Sequence, residues 1–317
     1  MADVDESFIL RILMRLSIVA LAITLKVRTF VVDNYYNLLN KAKTMLRLSN
    51  GQFLPELGAG TWTLRGDIAV ENVSAALKAG FRLIDTAQMY GNEAEVGRGL
   101  VLSGLPRSSY MVTTKVSNDM MRGGAEAVNA SIEESLGKLG CGYLDFLLVH
   151  WPVKDRIKDT WQVMEEYVRQ GKVRSIGVCN FNPHHLEDLL AYASIKPVMN
   201  QIELHPLHSQ EDNVTFDRAL GIQVQSWGPF GHGIVDMTTI PEIQEIAAQY
   251  DRTSSQIILR WILQRGLACI PRARVSHFKE NLEVTDFVLS DEDMARISAL
   301  NRNRRSSEDD NPENFAW

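Results

Sequence analysis

Short apolar runs and longer amphipathic runs alternate along most of the chain. Apolar, largely β-branched runs, commonly bounded by glycine, fall at 57–62, 81–87, 110–116, 143–150, 173–179, 198–203, 222–226 and 267–271. Between them, apolar residues recur at three- and four-residue spacing, as in Ile132, Leu136 and Leu139. That periodicity predicts helices over 70–79, 92–102, 124–139, 159–170, 183–193, 210–220, 240–250 with 254–265, and 279–284. Eight strand–helix units imply a parallel sheet, and eight parallel strands can close on themselves. The expected class is α/β, a (β/α)8 barrel. A hairpin over 46–57, turning at Asn50-Gly51, precedes the barrel, because Asn-Gly favours a tight turn. A last helix over 291–300 follows it, and the polar stretch 301–317 is expected to fold over the rim.

Residues 1–44 fall outside this alternation. Their apolar run, 16–25, is broken only by Ser17 and Thr24, with Arg11 and Arg15 just upstream. A membrane span needs ~20 mainly apolar residues. A signal peptide starts basic, whereas this chain starts with Asp3, Asp5 and Glu6. The segment reads as an extra helix, a membrane anchor or sequence upstream of the barrel proper, leaving 45–317 as a single barrel domain.

Composition narrows the function. The 317 residues are 45% hydrophobic, enough for a barrel of ~250 residues. The net charge is -6 and no basic run stands out, which argues against nucleic acid and for a small-molecule partner. Cys141, Cys179 and Cys269 are odd in number and lack CxxC spacing, a usage typical of a reduced, cytoplasmic protein. A monomer or weak dimer is expected.

On a closed barrel, the C-terminal strand ends carry the site. Three successive strand ends present Asp85, Lys115 and His150, and Tyr90 sits on the loop after the first. A buried carboxylate requires a cation, and Lys115 is the nearest candidate. A free phenol has pKa ~10, and an adjacent ammonium favours the phenolate. Tyr90 therefore reads as a general acid, with Lys115 tuning it and Asp85 holding Lys115, and His150 stands on the same rim. Each has an ordinary explanation taken singly: a salt bridge, a packing ring, a cap. His184-His185 and His205-Pro-Leu-His208 lack further ligands at metal spacing, so no metal is expected.

Longer motifs hold these residues. Asp85-Thr-Ala-x-x-Tyr90-x-Asn-Glu93, Thr-Thr-Lys115, Leu-Val-His150-Trp-Pro, 171–181 and Asn200-Gln-Ile-Glu-Leu-His-Pro206 resemble the aldo-keto reductases. The resemblance runs from about Met45 to the end and is strongest to the bacterial branch that includes the 2,5-diketo-D-gluconate reductases. It implies reduction of an aldehyde or ketone, sugar keto-acids included, with NADPH, and NADH as the alternative donor. No side chain supplies a hydride, and Gly58-Ala-Gly60 is not a dinucleotide fingerprint, since Thr63 follows.

The resemblance places Cys179, Asn180 and Gln201 on the carboxamide and Trp227 against the nicotinamide ring. It places the backbone of Gly228, Pro229, Phe230 and Gly231 near the pyrophosphate. Arg272 would meet the 2′-phosphate, with Ala273 in place of a hydroxyl and Arg274 nearby. His277 stands where the family has arginine, and Glu280 and Asn281 match adenine contacts. Trp62, Tyr90, His150, Trp151 and Trp317 would face the substrate. A second reading is a non-catalytic barrel that binds the cofactor as a sensor or regulatory subunit.

Overall fold

The computed structural model describes residues 44–317 apart from 233, 273 and 315–317. Its contacts divide the chain between Met45 and Leu46. The expectations for 1–44 concern residues that, but for the last, lie outside those described; so do the ones for Ala273 and Trp317. No helix among the described residues is long and apolar enough to cross a membrane.

A hairpin of β1 (Met45–Arg47) and β2 (Phe53–Pro55) comes first. Eight strands follow: β3 (Ala59–Gly60), β4 (Leu83–Asp85), β5 (Met111–Val116), β6 (Leu144–Val149), β7 (Val173–Cys179), β8 (Met199–Glu203), β9 (Gln223–Trp227) and β10 (Ala268–Cys269). They form one sheet in chain order, each parallel to the next. Parallel bridges Leu57–Cys269 and Gly60–Arg272 close it into a barrel. At this seam a Cβ on Gly60 would lie 3.0 Å from the Ile270 carbonyl, so glycine permits the approach. The runs expected over 57–62 and 267–271 yield only two-residue ladders, because at the seam the two backbones meet through isolated bridges.

In the hairpin, Gly51 takes φ +83° and its N–H donates to Leu48 O at 2.9 Å. Asn50 works through its side chain instead. Its Oδ1 accepts from Gln52 N at 3.1 Å, and its Nδ2 donates to Ser175 Oγ at 2.9 Å. Leu48 and Leu54 pack with Leu83, Phe146, Met199 and Ala268 inside the barrel, so the hairpin stoppers its N-terminal end.

The helices are α1 (Gly66–Ala79), α2 (Glu93–Leu102), α3 (Asn118–Arg122), α4 (Ala125–Leu139), α5 (Ile157–Arg169), α6 (Pro183–Leu190), α7 (Glu211–Ala219), α8 (Pro241–Tyr250), α9 (Ser254–Gln264), α10 (Phe278–Leu282) and α11 (Asp291–Ser298). Only α3 was not expected from the periodicity; it buries just Asn118 and Met121, and Ser117 caps it, accepting from Met120 N. Apolar helix faces bury against the sheet through Val73, Leu77, Val96, Ile132 and Trp161 on one side, and Ile243, Ile257, Trp261 and Ile297 on the other.

α2 meets its neighbours through glycines. A Cβ at Gly97 would lie 2.3 Å from Lys138 O, and one at Gly99 2.7 Å from Val73 Cβ. Gly97→Ala is therefore expected to destabilise by about 1–3 kcal/mol, the usual cost of overpacking. A thermal melt checks this; an unchanged midpoint would mean that α2 tolerates displacement from α4.

Candidate active site

The loop between β4 and α2 is held from beneath. Thr86 Oγ1 donates to Asn92 Oδ1 at 2.8 Å, and Asn92 Nδ2 donates to Thr61 O and Leu64 O at 2.9 and 3.0 Å. Glu93 is buried at the start of α2 and accepts from Thr114 Oγ1 at 2.6 Å and Ser135 Oγ at 3.2 Å. The Asn-Glu pair thus fixes the short turn 88–90 that carries Tyr90.

At the C-terminal mouth, Lys115 is fully buried. Its Nζ donates to Asp85 Oδ1 at 2.5 Å, to Thr86 O at 2.8 Å and to the Tyr90 hydroxyl at 3.3 Å. Asp85 Oδ2 accepts from Gln201 Nε2 at 2.8 Å, and that amide also donates to Gln225 Oε1. The Tyr90 ring stands 4.8 Å from Trp62 and 5.7 Å edge-on from His150, between centroids. Asp85, Tyr90, Lys115 and His150, far apart in sequence, thus form one cluster.

Its electrostatics are dominated by burial. Desolvation raises the Asp85 carboxyl despite the opposing pull of Lys115. Lys115 is pressed downward by burial, but Asp85 and Tyr90 outweigh that and leave it above its ordinary value. His150 lies well below 6.5, through burial and then repulsion from Lys115; it is neutral at physiological pH, with its Nδ1 buried and unpartnered among the described residues. The expectation that Lys115 brings Tyr90 below its ordinary value needs correcting. Burial pushes the phenol up to about 12, and Lys115 only moderates that rise.

The cluster opens on a cavity of about 180 Å³ whose aromatic walls include Trp62, Tyr90, Trp151, Trp227 and Phe230. Asn180 lines it with φ +61° and ties three strand ends together. Its Nδ2 donates to His150 O at 3.1 Å, and its Oδ1 accepts from Trp227 Nε1 at 2.8 Å. Gln201 lines the floor. Cys179 does not line the cavity. It sits in the sealed barrel interior with its thiol 3.9 Å from Gln201 Oε1, because its side chain packs among interior apolar residues. Burial raises its thiol.

Gly228, Pro229 and Phe230 border the cavity, and Gly231 follows. Of the backbone donors expected there, Pro229 has none, and the Gly231 N–H is used on Gly228 O at 2.9 Å. Among the described residues, the Gly228 and Phe230 amides have no backbone partner. Arg272 reaches the cavity edge and donates to Thr63 Oγ1 at 2.7 Å. His277, Glu280 and Asn281 lie outside the cavity lining. His277 Nδ1 is 3.3 Å from Glu280 Oε2, Glu280 also accepts from Thr253 Oγ1, and Asn281 is buried.

Two ionisable cavity residues carried no signal in the sequence. His232, with φ +55°, and Asp310 approach to 3.8 Å, Nδ1 to Oδ2, across the mouth. Asp310 belongs to the polar stretch after α11, which has no periodicity. Away from the cavity, His184, His185 and Glu313 gather with side-chain N and O atoms within 4.8 Å. His185 Nδ1 accepts from Asn182 N at 3.1 Å as part of a capping box. A ring accepting at Nδ1 carries its proton on Nε2, so metal ligation there would cost the cap.

Comparison with known proteins agrees with this fold. The model of the aldo/keto reductase family matches residues 56–302. Glyoxal reductase of Bacillus subtilis (strain 168) is 42% identical over 266 residues, covering 83% of this chain and 95% of the relative. Methylglyoxal reductase DkgA of Salmonella typhimurium is 38% identical over 278 residues, covering 86% and 98%. The crystal structure of a Bombyx mori aldo-keto reductase in complex with NADP superposes with a TM-score of 0.78 at 32% identity, covering 86% of this chain and 97% of that one. The matched span takes in every barrel strand together with Asp85, Tyr90, Lys115 and His150, and the chain belongs to the aldo/keto reductase family.

Proposed function

We propose that this reductase uses NADPH to reduce small, reactive aldehydes and dicarbonyls, with Tyr90 as the general acid. One observation carries the assignment. Lys115 donates to the Tyr90 oxygen at 3.3 Å, which leaves the phenol's own hydrogen free to point elsewhere, and the residue lines the cavity. When bound, the nicotinamide supplies a hydride to the carbonyl carbon. The oxygen then becomes an alkoxide, a far stronger base than a phenolate, so proton transfer from a phenol of pKa about 12 runs downhill. His150, neutral, offers one N–H to the carbonyl oxygen. It orients the substrate and does not compete as the acid. Asp85 and Gln201 hold Lys115 in register.

The residues present suit the cofactor. Trp227 is pinned through its indole N–H and presents a ring at the cavity wall. His150, Asn180 and Gln201 put polar side chains on the cavity lining. Arg272 offers a guanidinium at the far edge, the group best matched to a phosphate. Arg272→Ala is expected to raise KM for NADPH about tenfold more than KM for NADH, the range of one charge-assisted hydrogen bond. Equal losses for the two would remove the phosphate contact from this reading.

The dicarbonyl preference rests on the narrow aromatic cavity and on the names of the two relatives above. Cofactor oxidation, followed by absorbance, tests it against methylglyoxal, an aromatic aldehyde, an aldose and a keto-sugar acid. Turnover confined to the last would make the enzyme a dedicated sugar-acid reductase. A folded, cofactor-binding protein inert toward all of them would favour the sensor reading.

A further inference from the structure

Asp310 is the one cavity carboxylate without a lysine or arginine partner among the described residues. Asp85, the other, is paired with Lys115. The Asp310 side chain is 13% exposed, and its nearest basic neighbour is His232, at 3.8 Å. Arg305, on the same stretch, pairs with Glu203, with Nη1 3.7 Å from Oε2, and Asp310 acts on it only at longer range, after Glu203 and Glu308. Arg272 is the only arginine or lysine lining the cavity among the described residues, and in the reading above it meets the cofactor.

The backbone leading to this carboxylate is tied down. The stretch after α11 is stitched to the end of β8: Arg302 N and Arg304 N donate to Leu207 O at 3.1 and 3.0 Å. Ser306 N and Oγ donate to Glu203 Oε1 at 2.7 and 2.5 Å. A single turn over 308–310, capped by Ser307 on Asp309 N, then delivers Asp310 to the mouth.

We propose that Asp310 is a specificity-determining residue that disfavours carbonyl substrates bearing a carboxylate. A fixed negative charge in a low-dielectric cavity repels a like charge over several ångströms, and such rejection selects between substrates without any new attractive contact. Neutral aldehydes and dicarbonyls escape the penalty; keto-acids and aldehyde-acids meet it. The inference rests on the proposed reductase reading of the same cavity and narrows its substrate class.

Methylglyoxal and glyoxylate make the test, because they have equal numbers of heavy atoms and differ by a methyl against a charged oxygen. The quantity read is the ratio of kcat/KM for glyoxylate to that for methylglyoxal, in the full chain. Asp310→Asn should raise this ratio about fivefold or more, and Asp310→Lys should raise it further. Added salt should raise it in the wild type, through screening, and less in Asp310→Asn. A ratio unmoved by either variant would overturn the proposal, as would one that falls. Turnover of neither compound by the wild type would sink the reductase reading instead. Quenching of tryptophan fluorescence in the cofactor-loaded protein then carries the same comparison as binding: equal glyoxylate affinity in wild type and Asp310→Asn would still overturn the role of Asp310.

Discussion

Tyr90→Phe is expected to lower turnover by about 10²–10⁴-fold, the usual contribution of a positioned general acid, while cofactor affinity stays unchanged. The substitution keeps the ring, and with it the contacts to Trp62 and His150 at 4.8 and 5.7 Å. It removes one hydroxyl and one acceptor for Lys115, which retains Asp85 Oδ1 and Thr86 O. The buried ammonium is therefore still satisfied, and the fold should survive. No neighbour can take over the proton. His150 is held neutral by burial and by Lys115, and Lys115 sits above its ordinary value. With Tyr90 pushed up to about 12, the acid form persists through neutral pH, so wild-type reduction should stay level there and decline only toward strongly alkaline pH. Cofactor oxidation gives the rate, and a fluorescence titration gives the affinity. Activity above a tenth of wild type in the variant would move the acid role elsewhere, as would a wild-type rate falling between pH 6 and 7.

Lys115→Met should cost both activity and stability, and the two losses should separate. Removing one partner of a buried ion pair typically destabilises by about 3–5 kcal/mol, on the order of a 10 °C drop in midpoint for a domain of this size. Asp85 is 1% exposed, and without the ammonium its raised pKa climbs further, since Lys115 is what lowers it. The folded variant then binds a proton that the unfolded chain has released. Its stability should be highest at acidic pH and fall as pH rises from the unfolded carboxyl value toward the raised folded one. Adding Asp85→Asn removes the unpaired charge and should recover much of the stability, with that slope flattened. Turnover should not recover, because the phenol has lost the ammonium that moderates it. Melting curves of both variants between pH 5 and 8 check this. Recovery of activity in the double variant would make Lys115 a purely structural residue.

The alternation of apolar and amphipathic runs was enough to set out eight strand–helix units. It is legible because a parallel strand buried on both faces must be apolar throughout, and a helix on its flank must be apolar on one stripe. Asp85, Lys115 and His150 stood out as ionisable residues at or near the C-terminal ends of three successive runs. The short α3 and the two-residue ladders of β3 and β10 were not legible. α3 buries only Asn118 and Met121, too few to mark a stripe, and a seam closed by isolated bridges depends on where Gly60 meets Ile270.

What the sequence by itself determined is therefore the barrel, the direction of its strands and the residue types at its C-terminal rim. Those follow from local pattern and from the cost of burying a lone charge. Tertiary structure alone decided the balance of the site. Only the packed cluster shows that burial outweighs Lys115 and leaves Tyr90 at about 12, because desolvation depends on every neighbour at once. Only the closed barrel shows Cys179 sealed behind Gln201 and away from the cavity. Only the folded chain brings Asp310 to His232, since no local rule links a polar stretch near the end to a loop after β9. Contacts of that length are made by the assembled rim, where Glu203 holds Ser306.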